Sequence, residues 1–211
     1  MRVIELIIDE EQMFSGIEAI SIVDRPAIQE NFIALSKQDK VQLADVDTDK
    51  RILMGAALIP NKNIYRQDSE DEEGYYIYFS EETVKKASEL FLIEGNQNKS
   101  TLEHQAELSG LSVVESWIVE DEVHDKSRKY GLEMPVGTWM VSMKVNNEDV
   151  WKDYVKTGAV KGFSIEGYFS EAVNLSVSEE VELKSFSDYP DSVKNNAKRA
   201  LKWAEENGWG S

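Results

Sequence analysis

Along most of this chain apolar and polar positions alternate as they do in half-buried strands, and a helical period appears in only a few places. The run VIELII at residues 3–8 predicts a first strand. Ile17, Ala19, Ile20 and Ile22 predict a second, which stops before Pro26. Residues 36–50 are polar and read as a loop. RILMGAALIP, residues 51–60, is a strongly apolar strand in which Gly55 suggests a bulge. The stretch DSEDEEG, 68–74, reads as a solvated acidic turn, and YYIYFS as a further strand. From Ser80 the period changes: Val84, Ala87, Leu90 and Phe91 form a helical stripe, Glu81 and Glu82 suit the positive end of the helix dipole, and Gly95 ends the element. Strands are predicted again over 111–119 and over 139–145. Asn147 is placed to cap a short helix closed at Gly158. The next run, VKGFSIEGYF at 160–169, reads as a buried strand with two glycines inside it, Gly162 and Gly167. Strand interiors avoid glycine unless the chain bulges or something approaches closely.

After Phe169 the pattern weakens. Residues 170–180 are polar and acidic, and VELKSF offers one more strand. The stretch YPDSVKNNAKRALKWAEENG then reads as a helix with Val193, Ala197, Ala200, Leu201 and Ala204 on one side and Lys194, Lys198, Arg199 and Lys202 grouped on another. The expected organisation is a strand-rich domain over 1–186 followed by an amphipathic helical tail over 187–211.

Composition narrows the chemistry. A hydrophobic content of 41% over 211 residues supports a sizeable core. With no cysteine, a disulfide framework, a thiol enzyme and cysteine-based zinc sites are all excluded. A formal charge of −17 repels phosphate backbones, so direct nucleic-acid binding is not expected. There is no run of eighteen apolar residues and no signal-peptide pattern at the N-terminus, so no membrane association is expected. The expected setting is the cytoplasm, a viral assembly within it included.

The chain has only two histidines, which makes them informative. His124 lies in the hydrophilic stretch VEDEVHDKS and reads as a surface residue. His104 lies in STLEHQAEL, between a polar loop and a predicted strand, where functional groups concentrate. Glu115 sits within VVESWIV. If buried, it needs a partner, and an imidazole suits it, because a carboxylate on one ring nitrogen fixes the tautomer and leaves the other nitrogen as a base. The alternative is that Glu115 lies on the wet face of an edge strand. Ser164, between the two glycines, is either a structural hydroxyl or a nucleophile awaiting a base. The glycines would bring backbone close to a substrate and free amides for an oxyanion. GFSIEG lacks the spacing of the G-x-S-x-G elbow. Glu166, two residues on, shares the strand face of Ser164 unless the glycines introduce a bulge. With no H-E-x-x-H and no i, i+4 histidine pair, neither a metal site nor another cofactor is expected.

The succession STLEHQ, LSVVESWIVED and MPVGTWMVSMKVNNEDVWKDYVKTGAVKGFSIEGYF resembles the prohead, or capsid maturation, proteases of tailed phages, and more narrowly the phage serine protease subgroup encoded beside portal and capsid genes. The likeness spans roughly residues 50–170. It implies an α+β fold of the herpesvirus-assemblin type: a mostly antiparallel β-barrel with a few surrounding helices, here followed by a C-terminal helix. It implies a serine endopeptidase inside the procapsid, in the host cytoplasm. Its substrates would be scaffold and major capsid protein, often the protease itself, with portal contact and self-association as further expectations. A non-catalytic assembly protein on the same fold is the alternative. By resemblance Ser164 matches the nucleophile and His104 the general base. Assemblin-type enzymes complete the site with a histidine after the serine, and this chain has none there. A carboxylate must substitute or the pair must act as a dyad. Glu115 is the first choice, with Glu166, Glu180, Glu182 and Asp188 as alternatives. Gly162 and Gly167 are the candidate oxyanion-hole positions.

Overall fold

The computed structural model describes residues 2–9, 15–36, 49–67, 69 and 73–172. Its strands are β1 (Val3–Ile7), β2 (Gly16–Val23), β3 (Ile33–Ser36), β4 (Asp49–Leu58), β5 (Ile64–Arg66), β6 (Tyr75–Tyr78), β7 (Ser100–Leu102), β8 (Ala106–Leu108), β9 (Leu111–Ile118), β10 (Trp139–Val145), β11 (Gly162–Tyr168) and β12 (Ser170–Glu171). Two helices join them, α1 (Glu81–Ile93) and the short α2 (Glu148–Val150), which runs on into a wider turn over Trp151–Val155. The longer strands follow the apolar pattern closely, and β10 coincides with the predicted alternation. The short strands β3, β5, β7 and β8 were not legible, because three or four residues carry too little periodicity. The predicted strand at VELKSF and the basic helical tail lie outside the described residues, as do Glu180, Glu182 and Asp188. The compact unit to which the described residues belong ends at Ala172.

The fold is α+β and mostly β, as expected. The strands form three open four-stranded sheets, in the orders β12-β1-β6-β5, β3-β4-β10-β9 and β11-β2-β7-β8. Among the described residues no sheet closes on itself into the expected barrel. The ladder breaks where the chain changes partner: β11 pairs with β2 as far as Tyr168, and β12 then pairs with β1. Pairing is antiparallel except for β1 with β6 and β2 with β7.

One core serves all three sheets. Ile17, Ile20 and Ile22 of β2, Leu53 and Met54 of β4, Met140 and Met143 of β10, and Phe163 of β11 are essentially inaccessible. Helix α1 buries Val84, Ala87 and Phe91, and the Phe91 ring meets Trp139 edge to face at 5.4 Å. Trp139 satisfies its indole N–H on the Ser116 hydroxyl at 2.8 Å. Asn147 caps α2 as predicted, its side-chain oxygen accepting from the Asp149 and Val150 amides.

The glycines have different uses from those expected. The β4 irregularity falls at Ala57, between the Trp139–Leu58 and Met140–Ala56 pairs, and Gly55 instead leaves room for Phe32, whose Cβ would lie 2.9 Å from an added methyl. At Gly162 a Cβ would press on Pro26 and the Glu30 carbonyl at 2.6–2.7 Å. At Gly167 it would collide with the Gly16 carbonyl and the Ile17 backbone. Both cleared spaces are filled by the protein itself, so the steric reason for assigning these residues to an oxyanion hole does not hold.

Backbone cannot yield to a new methyl as a flexible side chain can. Gly167→Ala is therefore expected to destabilise the domain by about 2 kcal/mol or more, read as a lower midpoint in chemical denaturation.

Candidate active site

The geometry around Ser164 follows from register. In antiparallel pairing Ser164 stands opposite Ser21. On the other side of β2, Ser21 stands level with Thr101 of β7. Paired residues project to the same face of a sheet, so three hydroxyls form one row across β11, β2 and β7. The shift in register that the glycines suggested comes only after Glu166, between Glu166 and Gly167. Ser164 and Glu166 are therefore still two residues apart in a regular strand and share that face.

Glu166 stands opposite Ala19, the smallest side chain on that side of β2. It reaches past it to β7, where Glu166 Oε1 accepts a hydrogen bond from the Thr101 hydroxyl. The same oxygen lies 3.0 Å from His104 Nδ1. An ionised carboxylate can only accept, so Nδ1 carries the proton and Nε2 is left as the basic nitrogen. The His104 and Glu166 side chains are 41% and 30% exposed, open enough to meet a substrate. Ser164 is 8% exposed, and no hydrogen bond joins it to His104. Such bonds are often long or absent until substrate is bound.

His104 is held by an unusual turn. Glu103 and His104 both take left-handed backbone angles, φ 50° and 58°, in the tight reversal between β7 and β8 that the Gln105 amide closes on the Leu102 carbonyl at 3.0 Å. For residues other than glycine this conformation costs about 1–2 kcal/mol each, so the surroundings must over-determine it. They do. The wholly buried Ser21 hydroxyl accepts the His104 amide at 3.1 Å and donates to the Thr101 carbonyl at 3.3 Å. The Glu103 amide donates to the Ile22 carbonyl at 3.2 Å, and the Glu103 carboxylate accepts the Asp24 amide at 2.6 Å. Asp24 is paired in turn with Lys161, immediately before β11, and that ammonium lowers the Asp24 carboxyl below its ordinary value. Residues from β2, β7 and the start of β11 thus fix the imidazole's base.

Glu115 is not part of this arrangement. It lies on β9, in a different sheet, exposed and paired with Lys126, which holds its carboxyl below the usual range. A bulge explains the difference. Ser142 faces Glu115 and Met143 faces Val113, so Val114 is the extra residue and the alternation that would have turned Glu115 inward is reset. His124 is a surface residue as read: its ring lies 2.8 Å from Asp121, whose carboxylate also accepts the Val123 and His124 amides. The residues sequence reasoning missed, Ser21 and Thr101, had one weak signal each. They are hydroxyls placed within the apolar run ISIV and beside Leu102 in STL.

A family model described as "Putative phage serine protease XkdF" matches residues 40–173, well over half of the chain. Comparison with curated proteins and with solved structures gives no match.

Ser21→Ala removes the acceptor of the His104 amide. Hydrogen exchange at that amide is expected to accelerate markedly, and unchanged protection would remove Ser21 from its supporting role. The hydrogen bonds from His124 and from the two amides hold the Asp121 carboxyl at about 2, down from 3.8. A depressed carboxyl stabilises the fold fully above its unfolded value, and that contribution is lost as pH falls through about 2. Side-chain carboxyl NMR should place the Asp121 midpoint there, and a midpoint at the ordinary aspartate value would remove the contribution.

Proposed function

The chain belongs to the phage serine protease family, and from that premise we propose that Ser164 is its nucleophile, His104 the general base and Glu166 the carboxylate that orients the base. The observation that carries this reading is the Glu166–His104 contact on the face of β11 that also bears Ser164. In this mechanism the Nδ1 proton stays in the hydrogen bond to Glu166 while Nε2 takes the Ser164 proton. The Ser164 oxygen attacks the scissile carbonyl and forms a tetrahedral intermediate. His104 then returns its proton to the leaving amine, the C–N bond breaks and an acyl-enzyme remains. Water, deprotonated by the same nitrogen, hydrolyses the ester and restores Ser164. Glu166 stays ionised throughout and stabilises the imidazolium, helped by the Thr101 hydroxyl.

The physiological role we infer is capsid maturation. The substrates are scaffold and major capsid protein, together with the protease itself, inside a procapsid in the host cytoplasm. Contact with portal, self-association and an assemblin-like relation of the sheets belong to the same reading. The charge of −17 supports a protein that shares a compartment with DNA-packaging machinery without binding DNA. The burial of Ser164 and the missing bond from His104 favour a second reading, a non-catalytic assembly protein on the same fold. An active-site serine probe separates the two, since only the protease is labelled.

Ser164→Ala, co-expressed with the scaffold and capsid proteins of the same phage, should leave both at full mass while the unaltered chain shortens them. Glu166→Gln is expected to lower kcat by about 10²–10⁴-fold and Glu115→Gln to leave it unchanged. The reverse order would restore Glu115 as the third member.

A further inference from the structure

Strand β11, which carries Ser164, is the last strand of its sheet, with β2 on one side only. The bonds of β2 decide which peptide groups face the open side. The Ile20 amide donates to the Lys99 carbonyl, and the Ile22 carbonyl accepts the Glu103 amide, so Ile20 and Ile22 turn their peptide groups to β7. Ser21, between them, turns its own to β11, where it pairs with Ser164. The neighbours of Ser164, Phe163 and Ile165, therefore direct their N–H and C=O groups to the open edge. Two positions before Phe163 the Lys161 carbonyl faces the same way and accepts the Phe32 amide at 2.8 Å. Beyond it, among the described residues, no backbone continues the pairing along that edge.

A cavity of about 190 Å3 opens beside this edge. Phe163, Ser164 and Ile165 border it, and Leu58, Ile64, Ile77, Phe79 and Phe169 give it an apolar lining. It also reaches the Ser164 side of the strand. A Cβ at Gly162 would press on the Pro26 ring, so the segment after β2 crosses β11 on the face that Gly162 shares with Ser164. Ala27, next to Pro26, lines the cavity. An apolar cavity of about 150 Å3 holds a benzene ring, so this one has room for a leucine or phenylalanine side chain. The charge in its wall is that of Arg66, whose guanidinium donates to the Tyr65 carbonyl at 3.2 Å and repels a second cation.

We propose that this cavity receives a large apolar side chain (Leu, Ile, Met or Phe) of the polypeptide being cut, while the backbone of that polypeptide pairs with Phe163 and Ile165. The proposal rests on the protease reading for its reaction, and on the open edge and the cavity for its binding mode. An extended peptide is the occupant because it brings both things the site lacks, a row of N–H and C=O groups for the edge and a side chain for the cavity. A small apolar molecule would leave the edge unpaired. An extended chain advances about 3.3 Å per residue, so a side chain in a cavity bordered by Ser164 lies within about two residues of the scissile bond.

Two measurements on the full-length chain test this. In the first, the unaltered protein digests a library of proteome-derived peptides and the cut sites are mapped by mass spectrometry. Leu, Ile, Met and Phe should be enriched within about two residues of the cut, and Lys and Arg depleted there. Cut sites without that enrichment overturn the subsite. Ala27→Leu, which takes up part of the cavity from a half-buried position, should turn the enrichment toward Ala and Gly. In the second, Ser164→Ala is titrated with fluorescent dodecapeptide mixtures, randomised except for a fixed central Leu-Leu or Ser-Ser. The Leu-Leu mixture should bind at least about tenfold tighter, a preference that added Ala27→Leu removes. Equal affinity for the two mixtures, no binding of either, or a preference that survives Ala27→Leu overturns the subsite whatever the unaltered protein cuts. A Leu-Leu preference that Ala27→Leu removes, in a protein that cleaves nothing, leaves the subsite standing and sinks the protease reading instead.

Discussion

The arrangement around Ser164 and His104 depends on the pairing register of β2, which lies between β11 and β7. A strand has a period of two, so a slip of one residue would turn Ser21 to the opposite face and Ile20 or Ile22 toward the face that bears Ser164. The register is fixed because that exchange is so unfavourable. Ile20 and Ile22 are completely buried on one face of β2, and the chain cannot give them up to water. Hydrophobic burial on one side of the sheet therefore sets the alignment of polar groups on the other. Ser164, Ser21 and Thr101 fall into line as a consequence.

The same central strand supports the costly part of the site. His104 and Glu103 occupy left-handed backbone conformations that an isolated turn of this sequence would not hold. Ser21, Ile22 and Asp24, all on or just beyond β2, accept or donate the hydrogen bonds that keep the turn in place. The strain is thus offset by contacts with a rigid element of the core. Glu166 then needs only to reach across Ala19 to meet the imidazole, and a larger side chain at that position would stand in its way. Small, buried hydroxyls suit this work. Each can donate and accept at once, so one serine links the backbone of β7 to the amide of His104.

Much of the fold was readable because long strands and α1 bury continuous apolar faces. The alternation in Trp139–Val145 and the stripe of Val84, Ala87 and Phe91 leave one sensible reading each. The short strands that carry the site were not readable. Ser100–Leu102 and Ala106–Leu108 owe their existence to pairing with β2 and with each other. Glu115 shows the opposite failure. Its surroundings in sequence are apolar, but one extra residue at Val114 turns it to the solvent and Lys126. The two glycines of β11 were correctly read as marks of close approach, yet what approaches is the protein itself: the Pro26 ring and the Glu30 carbonyl at Gly162, and the backbone of Gly16 and Ile17 at Gly167.

By itself the sequence determined the candidates and their kinds: one histidine in a functional setting, a serine between glycines, no cysteine, and strands long enough to build a core. Residue chemistry and local periodicity suffice for that, since both are properties of the chain. Which carboxylate meets His104 was decided only by the tertiary structure. Glu166 and His104 are 62 positions apart and come together because β2 lies between their strands, with Ala19 leaving the space above it. Partnership of that kind is set by long-range register, and register is fixed by the burial of residues that take no part in the chemistry.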